Sequence, residues 1–428
     1  MKIIENEDLS SIKKRIRQAT EQTVDPVIKQ RVDDIIEQVR QRGDAALKDY
    51  SQRFDGIELT DLAVSKAEID QAYNRLDEKV RTALEKAAQN IQSFHQLEVA
   101  QSFEDDSVPG VIRGTKVTPL ARVGIYVPGG TAAYPSSVLM NAIPAKVAGV
   151  KEVIMVTPPQ KEGLNQAVLA AAKIAGIDKI YQIGGAQAIA ALAYGTESIP
   201  QVDKITGPGN AYVAAAKQAV YGQVAIDMIA GPSEIGILAD DSANPKNLAA
   251  DLLSQAEHDV RARAILITNS LNLAQAVSDE VEAELKTLPR EEIARQAIEQ
   301  QGFIYLTDSI DDMLALMNEV APEHLEVQLE NPKQYLAQIQ NAGSVFLGPN
   351  TSEPLGDYYA GPNHILPTGG TARFSSALGV WDFQKRIQYL SYSENALQRD
   401  ASNVIALAET EGLDGHARAI EIRGEQND

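Results

Sequence analysis

The chain of 428 residues contains no cysteine and only five histidines. Without cysteine it can form neither a disulfide nor a thiolate-ligated zinc or iron–sulfur site. A thiolate nucleophile is excluded for the same reason. Chemistry that needs a nitrogen base or a nitrogen ligand must therefore draw on a small set of side chains, which consists of His95, His258, His324, His364 and His416.

Basic residues are also scarce, with 39 Lys and Arg against 59 Asp and Glu, so the net charge is −20. Such a surface repels phosphate backbones and anionic headgroups, which argues against nucleic-acid or membrane-surface binding. The N-terminus does not have the pattern of a signal peptide. The uncharged stretch 123–145 contains three prolines and three glycines and is unsuited to a membrane helix. We therefore expect a cytoplasmic protein.

The first hundred residues have the periodicity of helices. Asp25 and Pro26 are typical of a helix start. After them, apolar residues recur at three- and four-residue steps and form one apolar face. A second helix is predicted for about residues 66–94. His95 follows it, and a packing or surface role is the expected one.

From Arg122 onward, short apolar runs alternate with alanine-rich helical segments. Continuous apolar strands are typical of parallel sheets that are covered on both faces. The predicted strands are 123–127, 153–157, 179–183 and 202–205, followed in a second set by 235–238, 264–268, 303–306 and 345–347. The second sheet is expected to include part of the first hundred residues. After residue 350 the sequence is loop-like as far as residue 376.

The fold class predicted from this alternation is α/β, with two doubly wound, incomplete Rossmann-like domains and small helical N-terminal and C-terminal extensions. The predicted borders are an N-terminal helical extension at 1–22, a discontinuous α/β domain formed by 23–122 with 236–377, a second α/β domain at 123–235, and a C-terminal segment at 378–428.

Two histidines have sequence neighbours that indicate a metal-binding or acid–base role. Gln255 and His258 are three residues apart at the end of a predicted helix, so both can reach one metal ion, although the helix dipole alone also favours a histidine there. His324 follows Glu323 where a loop is expected to enter a strand. Its imidazole suits a general base, and an exposed surface pair is the alternative.

Asp357 and His364 lie in a segment rich in glycine and proline, which is typical of a functional loop but also of a plain surface connection. The turns 184–187 and 207–210 each follow a predicted strand and open a helix, where backbone N–H groups can hold a phosphate. Tyr212 stands where the third glycine of a dinucleotide fingerprint would fall, so a tight strand–helix turn is the competing interpretation.

Seven segments, in this order, resemble the histidinol dehydrogenase family: GIYVPGG at 124–130, GGAQAIA at 184–190, TGPGN at 206–210, AGPSE at 230–234, QAEH at 255–258, APEHL at 321–325 and GPNH at 361–364. The resemblance spans about residues 113–416. It implies zinc-dependent oxidation of L-histidinol to L-histidine with two NAD, the last step of histidine biosynthesis. It also implies a homodimer whose subunits exchange segments and share their active sites, with 378–428 as the exchanged segment and 123–235 as the NAD-contacting domain.

The resemblance further implies a role for each motif residue. Glu323 and His324 would be the catalytic acid–base pair. One zinc ion per subunit would be held by Gln255, His258, Asp357 and His416, the last from the partner subunit. NAD would contact Tyr126, Gln187 and Asn210. Substrate would contact these four zinc ligands and Glu323, together with Ser233, His364 and, from the partner subunit, Glu411.

The missing thiol shapes the expected chemistry. An aldehyde has no hydroxyl proton to remove, and without cysteine no thiohemiacetal can form, so we expect water to add and the hydrate to be oxidised by the same base. Glu323 is the natural candidate to activate that water. Two other classes remain open from the residues: a zinc hydrolase, which would need no NAD, and a non-catalytic α/β protein that binds an anionic metabolite.

Overall fold

The structure is a computed structural model in which residues 1–5, 7–19, 25–129, 133–229 and 231–425 are described. The chain divides into two compact units. The first unit comprises Met1–Glu98 and Leu120–Phe383, and the second comprises Val99–Pro119 and Gln384–Asp428. The predicted border at residues 22 and 23 and the motif residues Gly130 and Ala230 lie outside the described residues. The domain borders stay a prediction.

The strands, numbered along the chain, are β1 Lys2–Ile4, β2 Phe103–Asp105, β3 Val111–Pro119, β4 Arg122–Tyr126, β5 Glu152–Val156, β6 Lys179–Tyr181, β7 Lys204–Thr206, β8 Ala225–Ile226, β9 Glu234–Ala239, β10 Arg263–Thr268, β11 Gly302–Leu306, β12 His324–Gln328, β13 Ser344–Leu347 and β14 Gln384–Tyr392.

The α-helices are α1 Leu9–Ala19, α2 Pro26–Arg42, α3 Asp44–Tyr50, α4 Lys66–Arg75, α5 Glu78–Gln96, α6 Pro135–Val147, α7 Gln166–Ile174, α8 Gly185–Tyr194, α9 Ala211–Val220, α10 Pro245–Ala256, α11 Leu271–Leu285, α12 Glu291–Gln301, α13 Ile310–Val320, α14 Glu353–Tyr358, α15 Glu394–Thr410 and α16 Asp414–Glu425. A π-helical turn spans Ser51–Asp55, and 3-10 turns span Pro332–Gln338, Thr371–Arg373 and Val380–Phe383.

A five-stranded parallel sheet in the first unit has the order β6-β5-β4-β7-β8. Its central strands are buried because their residues are almost all apolar, as in the run Val123, Ile125 and Tyr126 of β4. The strand order reverses between β4 and β7, which opens a crevice at the carboxyl ends of these two strands. The four strands predicted between residues 123 and 205 all belong to this sheet.

A six-stranded parallel sheet, also in the first unit, has the order β1-β11-β10-β9-β12-β13. From β11 to β13 it repeats the order of the five-stranded sheet, with its own reversal between β9 and β12. The register places His324 of β12 beside Ile235 of β9 and Ser344 of β13. Two doubly wound sheets in one chain confirm the predicted fold class.

The N-terminal helices cover the five-stranded side. Asp25 caps α2 by accepting a hydrogen bond from the N–H of Val27, and the predicted apolar face of α2 packs on α8 and α9. The helix predicted for residues 66–94 is two helices, because the Asp77 side chain accepts from the N–H groups of Lys79 and Val80 and starts a new helix.

Each terminal extension contains a strand as well as helices. Residues 2–4 form β1, which pairs with β11 and extends the six-stranded sheet, so part of the first hundred residues joins that sheet as expected. In the second unit β14 pairs antiparallel with β3, which also pairs with β2. Within the described residues, no helix is both long enough and apolar enough to cross a membrane.

Candidate active site

Glu323 and His324 meet at the amino end of the six-stranded sheet. Glu323 precedes β12, and its carboxylate Oε2 accepts a hydrogen bond of 2.9 Å from the N–H of Glu234 on the neighbouring strand. His324 is the first residue of β12, where its Nδ1 lies 3.2 Å from the carbonyl oxygen of Glu234 and 3.8 Å from Oε2 of Glu323. Both side chains are buried and lie against each other.

The environment shifts the proton affinity of both groups. Burial raises the pKa of Glu323 to about 8, against the opposing attraction of His324. Burial also disfavours the charged form of His324, but the carboxylates of Glu323 and Asp357 outweigh this and raise its pKa to about 10. Two buried groups with shifted proton affinities in contact are typical of a proton-transfer site.

Asp357 approaches the same imidazole from α14. Its Oδ1 lies 3.2 Å from Nε2 of His324. Burial disfavours its charge, yet the hydrogen bond and the attraction of His324 lower the pKa of Asp357 to about 2. The segment around Asp357 reads as a loop in the sequence, whereas the structure forms a short helix there, with Pro354 in its first turn. His324 is thus held between two carboxylates.

Glu353 is a member of this cluster that the sequence analysis did not single out. It lies four residues before Asp357, on the same face of α14, and hydrogen-bonds to both Asp357 and Gln255. Its Oε2 is 3.1 Å from the hydroxyl of Ser254. Burial, with the neighbouring charge of Asp357, raises the pKa of Glu353 to about 7. The i, i+4 spacing of two acids was the available signal, but it has meaning only on a helix.

The side chains that could hold a cation come from α14, from the start of β12 and from the end of α10. The carboxylate oxygens of Glu353 and Asp357 and a ring nitrogen of His324 all lie within 4.8 Å of one another. Gln255 is buried in the last turn of α10. His258 follows that helix and is exposed, and desolvation lowers its pKa against the attraction of Asp357. Three predicted zinc ligands of the first unit therefore belong to one neighbourhood.

The two remaining substrate-binding candidates of the first unit, His364 and Ser233, border this cluster. Nδ1 of His364 lies 2.9 Å from the carbonyl oxygen of Asp357, which can only accept, so Nδ1 carries the proton and donates it. Its Nε2 is 3.1 Å from the hydroxyl of Ser137 at the start of α6. Burial lowers the pKa of His364. Ser233 directly precedes Glu234, whose backbone contacts both Glu323 and His324.

All three predicted NAD-contacting residues line one cavity of about 1030 Å³ at the carboxyl end of the five-stranded sheet. Tyr126 is the last residue of β4, and its hydroxyl accepts from the N–H of Gly185 at 3.1 Å. Gln187 lies in the first turn of α8. Asn210 caps α9 through Oδ1, which accepts from the N–H groups of Tyr212 and Val213, so its amide NH₂ is the group that can face a ligand.

Glu411 and His416 belong to the second unit. Glu411 is the C-cap that follows α15, His416 lies in the first turn of α16, and both are exposed. The cluster in the first unit forms without them, and their predicted roles stay predictions. His95 is fully buried and hydrogen-bonds through Nδ1 to Glu98 at 2.7 Å, which confirms its packing role.

Comparison with known proteins extends this picture. A family model described as histidinol dehydrogenase matches residues 17–424. The chain is 65% identical over 423 residues to the histidinol dehydrogenase of Lactiplantibacillus plantarum, a match that covers 99% of each chain. It is 60% identical over 396 residues to that of Streptococcus mutans, covering 92% of each.

The fold is also similar to that of a solved enzyme. The crystal structure of histidinol dehydrogenase from Elizabethkingia anophelis superposes with a TM-score of 0.95 at 40% identity, over 100% of this chain and 98% of that one. The resemblance first indicated by seven short motifs therefore extends over the whole chain and the whole fold. The chain belongs to the histidinol dehydrogenase family.

Proposed function

We propose that this protein is an oxidoreductase that converts L-histidinol to L-histidine through histidinal, with zinc and two NAD, as the last step of histidine biosynthesis. The observation that carries the proposal is the placement of Glu323, His324 and Asp357 in one buried cluster in a family member without cysteine. An intracellular biosynthetic role is consistent with a cytoplasmic location.

The first oxidation needs a base for the hydroxyl proton and an acceptor for the hydride. His324 can take the proton through Nε2, because Nδ1 donates to the carbonyl oxygen of Glu234 and thereby orients the ring, while Nε2 faces Asp357. NAD, when bound, accepts the hydride at each step. The cavity lined by Tyr126, Gln187 and Asn210 supplies an amide donor and an aromatic ring for such a ligand.

The second oxidation needs water, since histidinal has no hydroxyl to deprotonate. Glu323 is the group to orient and deprotonate that water, because its carboxyl is buried beside His324 with a pKa of about 8. Addition of water gives a hydrate, from which His324 removes a hydroxyl proton as before. The balance is one alcohol, one water and two NAD in, and one carboxylate, two NADH and three protons out.

The residues present fit a zinc ion. Gln255, His258 and Asp357 offer an amide oxygen, an imidazole nitrogen and a carboxylate, a set with room for further ligands such as the nitrogens of the substrate. Zinc, when bound, would hold and orient the substrate and so reduce the entropy cost of reaction. With Asp357 engaged by a cation, His324 loses one of the two carboxylates that raise its pKa, which favours the neutral ring that a base requires.

The second unit supports a homodimer with exchanged C-terminal segments. Its three-stranded sheet leaves large apolar side chains of β14 exposed, among them Ile387 and Leu390. Leu407 of α15 is exposed by 68% beside Glu411 and His416 in the chain. Apolar surface of this extent is typical of a protein interface. We propose that residues 378–428 of each subunit supply Glu411 and His416 to the site of the other.

A mixture of two inactive variants tests the shared site. Glu411→Ala and His258→Ala subunits, each inactive alone, should form mixed dimers with one intact site, because the two lesions then fall on the same site. Activity after denaturation and refolding of the mixture should recover to about a quarter of the wild-type level when half of the dimers are mixed. Failure to regain activity would contradict the exchange, while each variant refolded alone controls for reversion.

Counting NADH tests the reaction itself. Two NADH formed per histidinol, with turnover lost in chelator and restored by zinc, is the expected result. A hydrolase would turn over without NAD, and one NADH per histidinol with histidinal accumulating would contradict the four-electron reaction.

A further inference from the structure

A buried ion pair fastens the turn that precedes α9. Lys217 on α9 and Asp227, which follows β8, pair through Nζ and Oδ1, and their side chains are 2% and 1% exposed. The two residues come from different elements, and neither belongs to the cluster around His324. Lysine on an alanine-rich helix normally faces solvent, so complete burial of this one needs a reason.

The pair holds both backbone groups of a single residue. Nζ of Lys217 donates to the carbonyl oxygen of Gly207 at 2.9 Å, and the N–H of Gly207 donates to Oδ2 of Asp227 at 2.7 Å. Oδ1 of Asp227 also accepts from the N–H of Met228 at 2.6 Å. Gly207 is therefore fixed from both sides, in a turn where neighbouring strands provide no partner for it.

Gly207 also sits against the end of β4. Its φ is +110°, and a Cβ at this position would lie 2.1 Å from the carbonyl oxygen of Tyr126. The turn and Tyr126 are thus in direct backbone contact, and three residues later Asn210 starts α9 at the wall of the cavity. A rotation of the peptides at Gly207 would move Tyr126 and Asn210 relative to each other.

We propose that Lys217 and Asp227 are positioning residues for the nicotinamide dinucleotide, a proposal that rests on the proposed use of NAD. Stability alone is a poor explanation, since a buried ion pair costs desolvation and apolar residues of similar volume are often equally stabilising. What apolar residues cannot do is hold the carbonyl and the N–H of Gly207 in one orientation. The pair thereby fixes the distance between Tyr126 and Asn210.

The test removes both charges together. In Lys217→Met with Asp227→Asn, no unpaired charge remains and an acceptor for the Gly207 N–H persists, but the carbonyl of Gly207 loses its partner. The KM for NAD should rise about tenfold, equivalent to about 1.4 kcal/mol, and the Kd for NADH by calorimetry should rise equally. The kcat at saturating NAD should stay within about twofold and the KM for histidinol should not change.

The matched control is the Lys204–Asp382 pair, which joins at 2.7 Å at the start of β7 and does not contact the turn. Lys204→Met with Asp382→Asn should leave the KM for NAD unchanged. If the Lys217/Asp227 variant lowers only the unfolding temperature, with the KM for NAD and the Kd for NADH unchanged, the proposal is overturned.

The remaining outcomes distinguish failure of this proposal from failure of the proposed function. If the double variant does not fold, Asp227→Asn alone is measured, and unchanged NAD and NADH constants there overturn the proposal. If wild-type protein binds NADH but forms none from histidinol, the proposed function fails while calorimetry still tests the pair. If the wild-type protein binds no NADH, the proposed function and the positioning role of Lys217 and Asp227 are both overturned.

Discussion

The two parallel sheets of the first unit share one strand order but use opposite ends. In the five-stranded sheet the carboxyl ends of β4 and β7 border the cavity of the predicted NAD residues. In the six-stranded sheet the amino ends of β9 and β12 carry the buried cluster around Glu323 and His324. The five-stranded sheet therefore presents backbone groups and short turns at its cavity, whereas the six-stranded sheet presents ionisable side chains.

The turns explain the difference. Gly184, Gly185, Gly207 and Gly209 follow strands of the five-stranded sheet and leave room for a ligand at helix N-termini. Within residues 231–425, the turns after β9, β10, β11 and β12 contain no glycine. After β9 stands Asp240, whose carboxylate accepts from the N–H of Glu330 at 3.0 Å and joins the ends of β9 and β12. An acid at this position disfavours a phosphate group.

The largest effect is expected at the six-stranded sheet. His324→Ala removes the proposed base for both oxidations, so kcat should fall by about 10²–10⁴-fold with either histidinol or histidinal as substrate. The KM for NAD should hardly change, because the imidazole of His324 lies at the six-stranded sheet and the predicted NAD cavity lies at the five-stranded sheet. Steady-state kinetics with both substrates provide the measurement. Retention of more than a tenth of kcat would assign the base to another residue.

Glu323→Gln separates the two oxidations. Gln keeps an acceptor for the N–H of Glu234 but cannot deprotonate water, so histidinal oxidation should slow by about 10²-fold while histidinol oxidation loses less than about threefold. Rapid-quench analysis should then show histidinal accumulating. Equal losses in both steps would mean that Glu323 serves the common proton transfer rather than water addition.

Asn210→Asp probes the five-stranded sheet with its helix cap preserved. The carboxylate still accepts from Tyr212 and Val213, but the amide donor is gone, so the KM for NAD should rise about five- to tenfold with kcat nearly unchanged. Asn210→Ala is the companion variant, which loses the cap as well and should also unfold at a lower temperature. A drop in kcat with an unaltered KM for NAD would contradict the proposal that the five-stranded sheet binds NAD and the six-stranded sheet carries the proton-transfer groups.

The smallest effect concerns stability and pH. Glu326 of β12 is fully buried, and burial together with Asp251 raises its pKa to about 8 from an ordinary 4.5. The folded protein therefore keeps a proton that the unfolded chain has lost, and this group makes stability fall as pH rises from about 4.5 to about 8. Glu326→Gln should make that slope shallower, while the raised pKa values of Glu323 and Glu353 maintain the rest of it. The variant should gain about 1–3 kcal/mol relative to wild type at pH 8.

Urea unfolding at pH 5 and pH 8 measures this difference. Exposed Glu330 provides the control, since Glu330→Gln changes the same net charge on a nearby surface and should leave the slope intact. If the slope of the Glu326 variant equals that of the wild type, Glu326 does not contribute to it.

The sequence predicted the elements whose residues carry a local signal. The strands of the five-stranded sheet are continuous apolar runs, and the cap at Asp25 marks its helix correctly. The motif residues Glu323, His324, Asp357 and Gln255 do converge, although 67 residues lie between Gln255 and Glu323 and 32 between His324 and Asp357. What joined them was the family resemblance, because spacing alone left a surface role open for each histidine.

The missed features depend on tertiary context. β3 and β14 pair over nine residue positions between distant parts of the chain, and β14 is exposed along nearly its whole length, so it has no buried run to detect. Glu353 was hidden because Gly356 and Pro354 made α14 read as a loop. Lys217 was hidden because a lone lysine on an alanine-rich helix is normally solvated, and Asp227 lies ten residues further on.

The pairing of β3 with β14 has a consequence for biosynthesis of the protein. β3 leaves the ribosome early, whereas its neighbour β14 begins at Gln384, close to the end of the chain. A nascent chain can complete the strands of both parallel sheets while β3 still has an open edge, and open strand edges invite aggregation. Truncated translation products that stop before β14 should therefore depend on chaperones more than the finished polypeptide does.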